Sequence, residues 1–257
     1  MTAYGRQRQP GKIDPLAVAP VYPDSVSGLK LWLKADGVLW QDAARTTPAT
    51  ADSAPVGCWD DASGVGNHFT QATAGNRPLL RTAIVNGHPV IRFDGSNDTL
   101  LTTTATGLDS ASFTQLAVVK KSAAGSMDIL GTGSSAGSGN TEWFFASDNP
   151  RLDQENAAVS VTGTAAMGTT TFKAIGVCHD ASGVPFAFMS GVTGGTGTVR
   201  SFNAGSNGWV GSERALAQFL NGDIAEIVRY NRALTLAEIN VVGQYFATRY
   251  GVAWTGL

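Results

Sequence analysis

Short segments in which apolar and polar residues alternate dominate the chain from residue 27 onward. Between Leu29 and Lys34, leucines alternate with lysines and a tryptophan, which is the pattern of a strand with one buried face. Similar segments follow, separated by Gly, Asn and Ser, whereas residues 36–58 lack a pattern and predict a surface excursion. The further predicted strands are Pro89–Phe93, Thr99–Thr102, Phe113–Lys120, Met127–Gly131, Glu142–Ala146, Ala157–Val161, Thr171–Cys178, Val184–Met189, Trp209–Gly211 and Ile224–Tyr230. About ten to twelve short strands with glycine turns predict an all-β antiparallel sandwich or barrel.

A helical pattern stands out at the end of the chain. Thr235 and Glu238 have the spacing of a capping box, in which each side chain bonds the backbone amide of the other residue. Apolar residues then recur at helical spacing, and Gly251 stands where a left-handed C-cap is expected. We therefore predict one C-terminal helix over about residues 235–250 that packs on the sandwich. Its predicted buried residues are Ile239, Val242 and Phe246.

The composition fits a weakly charged protein of many turns. Charged residues make up 15% of the chain and glycine supplies 31 of 257 residues, while 43% hydrophobic residues are enough for a core. A net charge of −2 argues against general nucleic-acid binding, which prefers a basic surface. No apolar stretch approaches the length of a membrane span. We expect neither a nucleic-acid partner nor membrane insertion.

Residues 1–25 differ from the rest of the chain. They contain four prolines and no apolar period, which predicts an extended N-terminal arm in front of a single domain at residues 26–257. The start lacks an apolar stretch typical of a secretory signal, so we expect no signal peptide and synthesis in the cytoplasm. The candidate assembly residues of this arm are Tyr4, Arg6, Arg8 and Lys12.

Four segments, taken in order, carry a resemblance to a known family. They are residues 28–36 (GLKLWLKAD), 59–68 (WDDASGVGNH), 92–100 (RFDGSNDTL) and 222–235 (GDIAEIVRYNRALT). Together they resemble a concanavalin A-like lectin/glucanase domain of the laminin-G-like type. The resemblance covers about residues 27–251 and implies a jelly roll of two curved antiparallel sheets. Modules of this kind behind a short arm are similar to structural proteins of tailed bacteriophages.

Whether the chain carries the catalytic carboxylates of this family's glucanases can be judged from their spacing. The resemblance implies Glu, Asp and Glu on alternate positions of one strand, where nucleophile and acid lie about 5 Å apart. The nearest segment here, Asp223 to Glu226, has its carboxylates three residues apart, and in a regular strand they point to opposite faces. We therefore predict that the chain is not an enzyme and has no catalytic residues.

Two groups of residues are candidates for ligand binding. Exposed aromatic rings stack on sugar faces while amides bond hydroxyls. The candidate glycan-binding residues are therefore Trp209, Asn207, Trp143 and Asn140, although alternation with Phe145 favours a core position for Trp143.

Oxygen-bearing side chains also crowd one glycine-containing loop, and calcium prefers six to eight oxygen ligands. The candidate calcium ligands are Asp60, Asp61, Ser63 and Asn67, and ordinary turn chemistry is the alternative for the same residues. No other cofactor is predicted.

The function predicted from these observations is that of a phage virion structural protein, used in capsid decoration, a head fibre or the tail. Its expected partners are other virion proteins and further copies of the chain, with a host surface glycan as an added partner. The expected location is the virion. Two alternatives stay open: a soluble carbohydrate-binding module, and a polysaccharide-cleaving enzyme.

Overall fold

The computed structural model describes residues 22–134, 140–154, 158–202 and 205–257. These residues form seventeen strands, one α-helix and two short 3-10 helices at Pro23–Ser25 and Ala74–Asn76. The strands are β1 (Leu29–Lys34), β2 (Leu39–Trp40), β3 (Cys58–Trp59), β4 (Phe69–Thr70), β5 (Leu79–Val85), β6 (His88–Asp94), β7 (Leu100–Thr102), β8 (Phe113–Lys121), β9 (Met127–Gly133), β10 (Thr141–Ala146), β11 (Asn149–Gln154), β12 (Ala158–Thr162), β13 (Lys173–His179), β14 (Phe186–Met189), β15 (Val192–Thr196), β16 (Asn207–Val210) and β17 (Asn221–Tyr230). The helix, α1, spans Leu236–Tyr250.

The strands form two antiparallel sheets. Sheet A has the order β15-β14-β13-β8-β17-β6-β5, and β1 pairs with the C-terminal half of β17. Sheet B has the order β12-β11-β10-β9-β16-β7-β4-β3-β2. One apolar core lies between the sheets and includes Trp59, Phe69 and Trp143. The prediction of an all-β antiparallel sandwich with one C-terminal helix is confirmed.

A second apolar cluster joins α1 to the outer face of sheet A. The predicted buried residues Ile239, Val242 and Phe246 are fully buried there against strand residues such as Val118 and Val228. The capping box at Thr235 and Glu238 is present, and Gly251 closes the helix in the left-handed conformation with a φ of 65°. Sheet A is therefore covered on both faces along the length of the helix.

The sequence pattern missed the shortest and most irregular strands. The segment 36–58 contains β2 and the first residue of β3, and a positive φ at Ala83 and a register shift interrupt β5. Two-residue strands show no alternation, and a bulged strand loses its period, so neither gives a recognisable signal.

Residues 22–25 pack on the domain, although the sequence placed them in the arm. Pro23 is buried, and its carbonyl accepts a 2.9 Å hydrogen bond from the hydroxyl of Tyr230 on β17. Within the described part of the chain, no helix has the length and apolar character needed to cross a membrane.

Candidate functional site

A cleft of about 890 Å³ runs along one flank of α1, which we call the helix cleft. Its volume lies in the range of ligand-binding pockets. The helix contributes one side, and residue 22, the β5–β6 turn and the C-terminal tail contribute the others. The lining residues are Tyr22, Asn86, His88, Ala237, Asn240, Val241, Gln244, Tyr245, Thr248, Arg249, Trp254, Thr255 and Gly256.

The helix side of the cleft follows from helical spacing. Residues three and four positions apart share a flank, so the cleft-lining residues from Ala237 to Arg249 form one stripe beside the buried one. The stripe extends over about 18 Å at 1.5 Å per residue. It carries amide, hydroxyl and phenol groups, of which Gln244 and Thr248 are exposed.

The C-terminal tail, residues 254–256, forms one wall of the cleft, which we call the tail wall. One asparagine and one glycine of α1 hold it in place. The side chain of Asn240 accepts hydrogen bonds from the Trp254 indole (3.1 Å) and the Leu257 amide (2.8 Å), and donates one to the Leu257 carbonyl (3.2 Å). The Trp254 ring packs against Gly243, where an added Cβ would lie 2.0 Å from a ring atom. Gly243 is thus required by the close approach of the indole.

Two further features complete the cleft. The amide of Asn86, in the turn between β5 and β6, donates a 2.9 Å hydrogen bond to the carbonyl of Arg249 and fixes the turn against the helix end. Tyr22 lies edge-on to Tyr245, with ring centroids 5.7 Å apart, and is 46% exposed. The cleft therefore offers an accessible aromatic ring beside hydrogen-bonding groups.

A buried carboxyl supports the floor of the cleft from below. Glu226 accepts hydrogen bonds from the indole of Trp32, from Tyr250 at 2.6 Å and from Tyr245 at 3.2 Å. The Arg249 Nε lies 3.6 Å from its Oε2. Tyr245 and Arg249 line the cleft, so the carboxyl links strand β17 directly to two cleft-lining side chains.

The direction of Glu226 corrects an expectation from the sequence. Ile224 and Ile227 both face the inter-sheet core, and a register shift between Ile224 and Glu226 leaves Ala225 as an extra residue. This β-bulge turns Glu226 to the same outer face as Asp223. Burial raises the pKa of Glu226 to about 7, against the lowering effect of its hydrogen bonds and of Arg249.

The charges of the cleft are balanced within the protein. Arg249 is bound to Asp36, whose carboxylate also lies 3.6 Å from the His88 ring. Apart from Arg249 and His88, the described lining residues are neutral. The cleft therefore suits an uncharged ligand with both apolar faces and hydroxyl groups.

The structure separates Trp143 from the other three predicted glycan-binding residues, since Asn140 lies beside Gly133, the cross-strand partner of Asn207. Trp143 is 1% exposed and faces the core, so it has no face for a sugar, as alternation with Phe145 indicated. Asn140 is also 1% exposed, and its side chain bonds both the amide and the carbonyl of Ser134. Trp209 and half-buried Asn207 lie on β16, and none of the four lines the helix cleft.

Trp209 belongs instead to a row of residues across the outer face of sheet B. Its cross-strand partners are Leu101 on β7 and Gly131 on β9. Gly131 is opposite Glu142 on β10, which is opposite Asp153 on β11. Trp209 is 7% exposed and packs close to Gly131, where an added Cβ would lie 3.3 Å from the indole. The row places an aromatic ring and two carboxyl groups on one face.

The predicted calcium ligands are engaged with hydrogen-bond donors. The Asp61 carboxylate accepts bonds from the amides of Trp32, Ser63, Gly66 and Asn67 and from the Ser63 hydroxyl. A carboxylate surrounded by N–H groups holds its own loop rather than a cation.

The neighbouring residues of that loop are engaged in the same way. Asp60 pairs with Arg45 at 2.9 Å and with His68 at 3.2 Å, and Asn67 bonds the backbone of Lys30 and Thr106. Among the described residues, no group of three or more His, Cys, Asp or Glu is arranged to hold a metal ion. These hydrogen bonds favour the turn-chemistry alternative for the loop, and the calcium site stays an untested prediction.

The predicted assembly residues Tyr4, Arg6, Arg8 and Lys12 lie outside the described residues.

Comparison with known proteins gives a fold but no family. No family model matches the chain, and no curated protein matches its sequence. Among solved structures, domain 4 of AbnA, a GH43 extracellular arabinanase from Geobacillus stearothermophilus in complex with arabinotriose, is 15% identical with a TM-score of 0.59, over 83% of this chain and 96% of that one. A GH54 α-L-arabinofuranosidase with a cyclic sulfate inhibitor is 15% identical with a TM-score of 0.61, over 88% of this chain and 60% of that one.

A third similar structure is larger. Trypanosoma rangeli sialidase in complex with sialic acid is 16% identical with a TM-score of 0.58, over 87% of this chain. The chain spans about a third of the length of the sialidase, since the match covers 33% of it. At these identities the likeness establishes a β fold that is shared with carbohydrate-active proteins.

These neighbours contradict two expectations from the sequence. They are glycoside hydrolases or domains of them, so the prediction of a phage virion structural protein is wrong, and the alternative of a carbohydrate-active protein fits better. The prediction that the chain is not an enzyme is also wrong, because it excluded an activity that proteins of this fold have. It rested on a missing pattern within one strand, whereas the fold is one that glycoside hydrolases share.

Proposed function

We propose that the chain is a carbohydrate-recognition module of the concanavalin A-like type and that a neutral oligosaccharide binds in the helix cleft. The observation that carries the proposal is the accessible ring of Tyr22 beside the Tyr245 ring, with Trp254 and exposed Gln244 and Thr248 lining the same cleft. Aromatic rings offer apolar faces to sugar rings, and amides both donate to and accept from hydroxyls.

The shape and charge of the cleft support an oligosaccharide rather than another ligand. A stripe of about 18 Å along α1 exceeds the length of a single sugar ring. The pairing of Arg249 with Asp36 leaves little charge for an anionic ligand. The similar AbnA domain, which this chain matches over nearly its whole length, is a structure with arabinotriose bound.

The test is calorimetric titration with a panel of neutral oligosaccharides that includes arabinotriose. Tyr22→Ala and Gln244→Ala are expected to weaken binding by about tenfold each, because each removes one ring or amide from the ligand. Val184→Ala is the control, since Val184 is 64% exposed and does not line the cleft. Binding that is equal in all four proteins would contradict the assignment to this cleft.

Glycoside hydrolysis is a second candidate function, supported by one feature of sheet B. Glu142 and Asp153 are direct cross-strand partners with Cβ atoms about 4.5–5.5 Å apart, so their carboxyl groups are within reach of the roughly 5 Å separation that retaining glycosidases use. Arg151 donates a 2.7 Å hydrogen bond to Asp153, which holds that carboxyl in place on the sheet face.

The test for hydrolysis is release of reducing ends from the same oligosaccharides. Glu142→Gln and Asp153→Asn are each expected to abolish it, because each removes one of the two carboxyl groups, whereas the exposed control Asp109→Asn leaves it unchanged. Release that survives both substitutions would exclude this pair.

A further inference from the structure

A second, smaller pocket lies at the other end of the outer face of sheet A. It encloses about 400 Å³ where β6 ends, and we call it the strand-end pocket. Its lining residues are Leu79, Arg92, Phe93, Asp94, Asp98, Lys120, Ser122 and Asn221. Several belong to the segment at residues 92–100 that the sequence singled out and that the proposed function does not use.

Two cations form its floor and are held in place by one buried carboxylate. Asp223 is fully buried and accepts bonds from Arg92 at 2.6 and 3.0 Å, while Lys120 lies 3.0 Å from its second oxygen. The Arg92 and Lys120 side chains stay 36% and 20% exposed. Both keep N–H groups that are not used by Asp223, because guanidinium has five donors and ammonium has three.

Asp98 supplies an acceptor on the opposite side. The residue is 5% exposed and lines the pocket. Its Oδ2 accepts a 2.9 Å bond from the amide of Asp94, and no other described group donates to its carboxyl. The other carboxyl oxygen of Asp98 is therefore open to a hydrogen-bond donor from the contents of the pocket.

The turn that carries these acceptors is held by its own hydrogen bonds. Asp94 accepts bonds from the amides of Ser96 (2.8 Å) and Asn97 (3.3 Å). Gly95 has a φ of 80°, and an added Cβ would lie 2.6 Å from Asn221. Donors and acceptors are thus fixed around the cavity before any ligand enters, which lowers the cost of binding.

The charges around the pocket nearly cancel. Arg92 and Lys120 face three carboxyl groups, those of Asp223, Asp94 and Asp98. An anion would meet Asp94 and Asp98, and a metal ion would meet Arg92 and Lys120. A neutral ligand with several hydroxyl groups satisfies both sets, because each hydroxyl donates and accepts.

We propose that the strand-end pocket is a second binding site and that it takes one sugar ring, with adjacent hydroxyls donating to Asp98 and accepting from Arg92 and Lys120. The volume of about 400 Å³ is at the small end of the range for ligand pockets, which fits a single ring better than a chain. This site is independent of the helix cleft and does not rest on it.

The test is ¹⁵N–¹H NMR titration of the full chain with free neutral monosaccharides, including arabinose, glucose and galactose. The account expects shifts of the amides of Gly95, Asp98 and Asn221 with at least one sugar. Asp98→Asn should weaken that binding about tenfold or more, since the charged acceptor becomes a neutral amide that also presents a donor. Gln244→Ala, in the helix cleft, should leave it unchanged.

Three outcomes would overturn the proposal. They are the absence of shifts at these amides with every sugar, equal affinity in the Asp98→Asn protein, and equal loss in the Gln244→Ala protein. Because burial and the charge of Asp94 raise the pKa of Asp98 to about 6, the wild-type affinity should also fall as the pH drops below about 6. The Asp98→Asn protein should lack that fall. If that variant does not fold, Ser122→Ala at the rim replaces it, with a smaller loss expected.

Discussion

The hydroxyl of Tyr250 donates a 2.6 Å hydrogen bond to Glu226, which ties the last turn of α1 to a bulge in the central strand of sheet A. Glu226 also accepts from Trp32 on β1 and from Tyr245, so one buried carboxyl joins two strands and the helix. Since the Tyr22 ring packs edge-on against Tyr245, this network fixes the surface on which the ring assigned to ligand binding rests.

The pH dependence of stability should report on this carboxyl. Burial raises the folded-state pKa of Glu226 to about 7, above its ordinary value of 4.5. A raised pKa means that the folded protein binds the proton more tightly, so the stabilisation is fully present below about pH 4.5 and is lost as the pH rises through about 7. The loss is expected to be up to about 3 kcal/mol.

Urea denaturation of the wild type and of Glu226→Gln across this window measures the effect. The glutamine variant cannot ionise, so the difference between the two unfolding free energies isolates Glu226 from the charges around it, which are Lys34, Asp36 and Arg249. A difference that does not change with pH would show that Glu226 has an ordinary pKa.

Gly243→Ala should destabilise the protein, although replacing glycine by alanine within a helix usually increases stability. The change normally favours a helix by about 0.5–1 kcal/mol, but here the new Cβ would lie 2.0 Å from the Trp254 indole. We expect a lower melting temperature and displacement of the tail wall of the cleft.

The double variant Gly243→Ala, Trp254→Ala provides the matched control. Removing the indole also removes the clash, so Gly243→Ala should be neutral or stabilising in the Trp254→Ala background. The same loss of stability in both backgrounds would mean that the indole does not pack on Gly243.

Asp61 should contribute to the stability of the folded protein and should not bind calcium. Its carboxylate accepts bonds from four backbone amides and one hydroxyl, so Asp61→Ala should cost about 2–4 kcal/mol in thermal or urea unfolding. Calcium and EDTA should leave the wild-type melting temperature unchanged. A rise of the melting temperature with calcium would restore the metal site, because a ligand that binds the folded state stabilises it.

The sequence predicted those features that leave a local signal. Alternation predicted the core strands, and the capping box with Gly251 predicted α1 and its buried face. The helix cleft left no such signal, because it brings together Tyr22, Asn86 and Trp254, which are far apart in the chain. A polar stripe at residues 240, 244 and 248, beside the apolar one, was the available hint.

The direction of Glu226 shows a second limit. A regular strand puts residues 223 and 226 on opposite faces, and the bulge at Ala225 reverses this. A bulge depends on the register with the neighbouring strand, which is set by the whole sheet. The same reason hid the pairing of Glu142 with Asp153, since cross-strand partners cannot be identified before the strand order is known.

The central claim, that an oligosaccharide binds in the helix cleft, is tested most directly by the indole N–H signals of the six tryptophans during titration with arabinotriose. Trp254 lines the cleft, whereas Trp209 lies on sheet B and Trp59 and Trp143 lie in the core. We expect the Trp254 signal to shift with saturation and the Trp209 signal to stay in place. A saturable shift of Trp209 with a constant Trp254 signal would contradict the central claim and would move the binding site to sheet B.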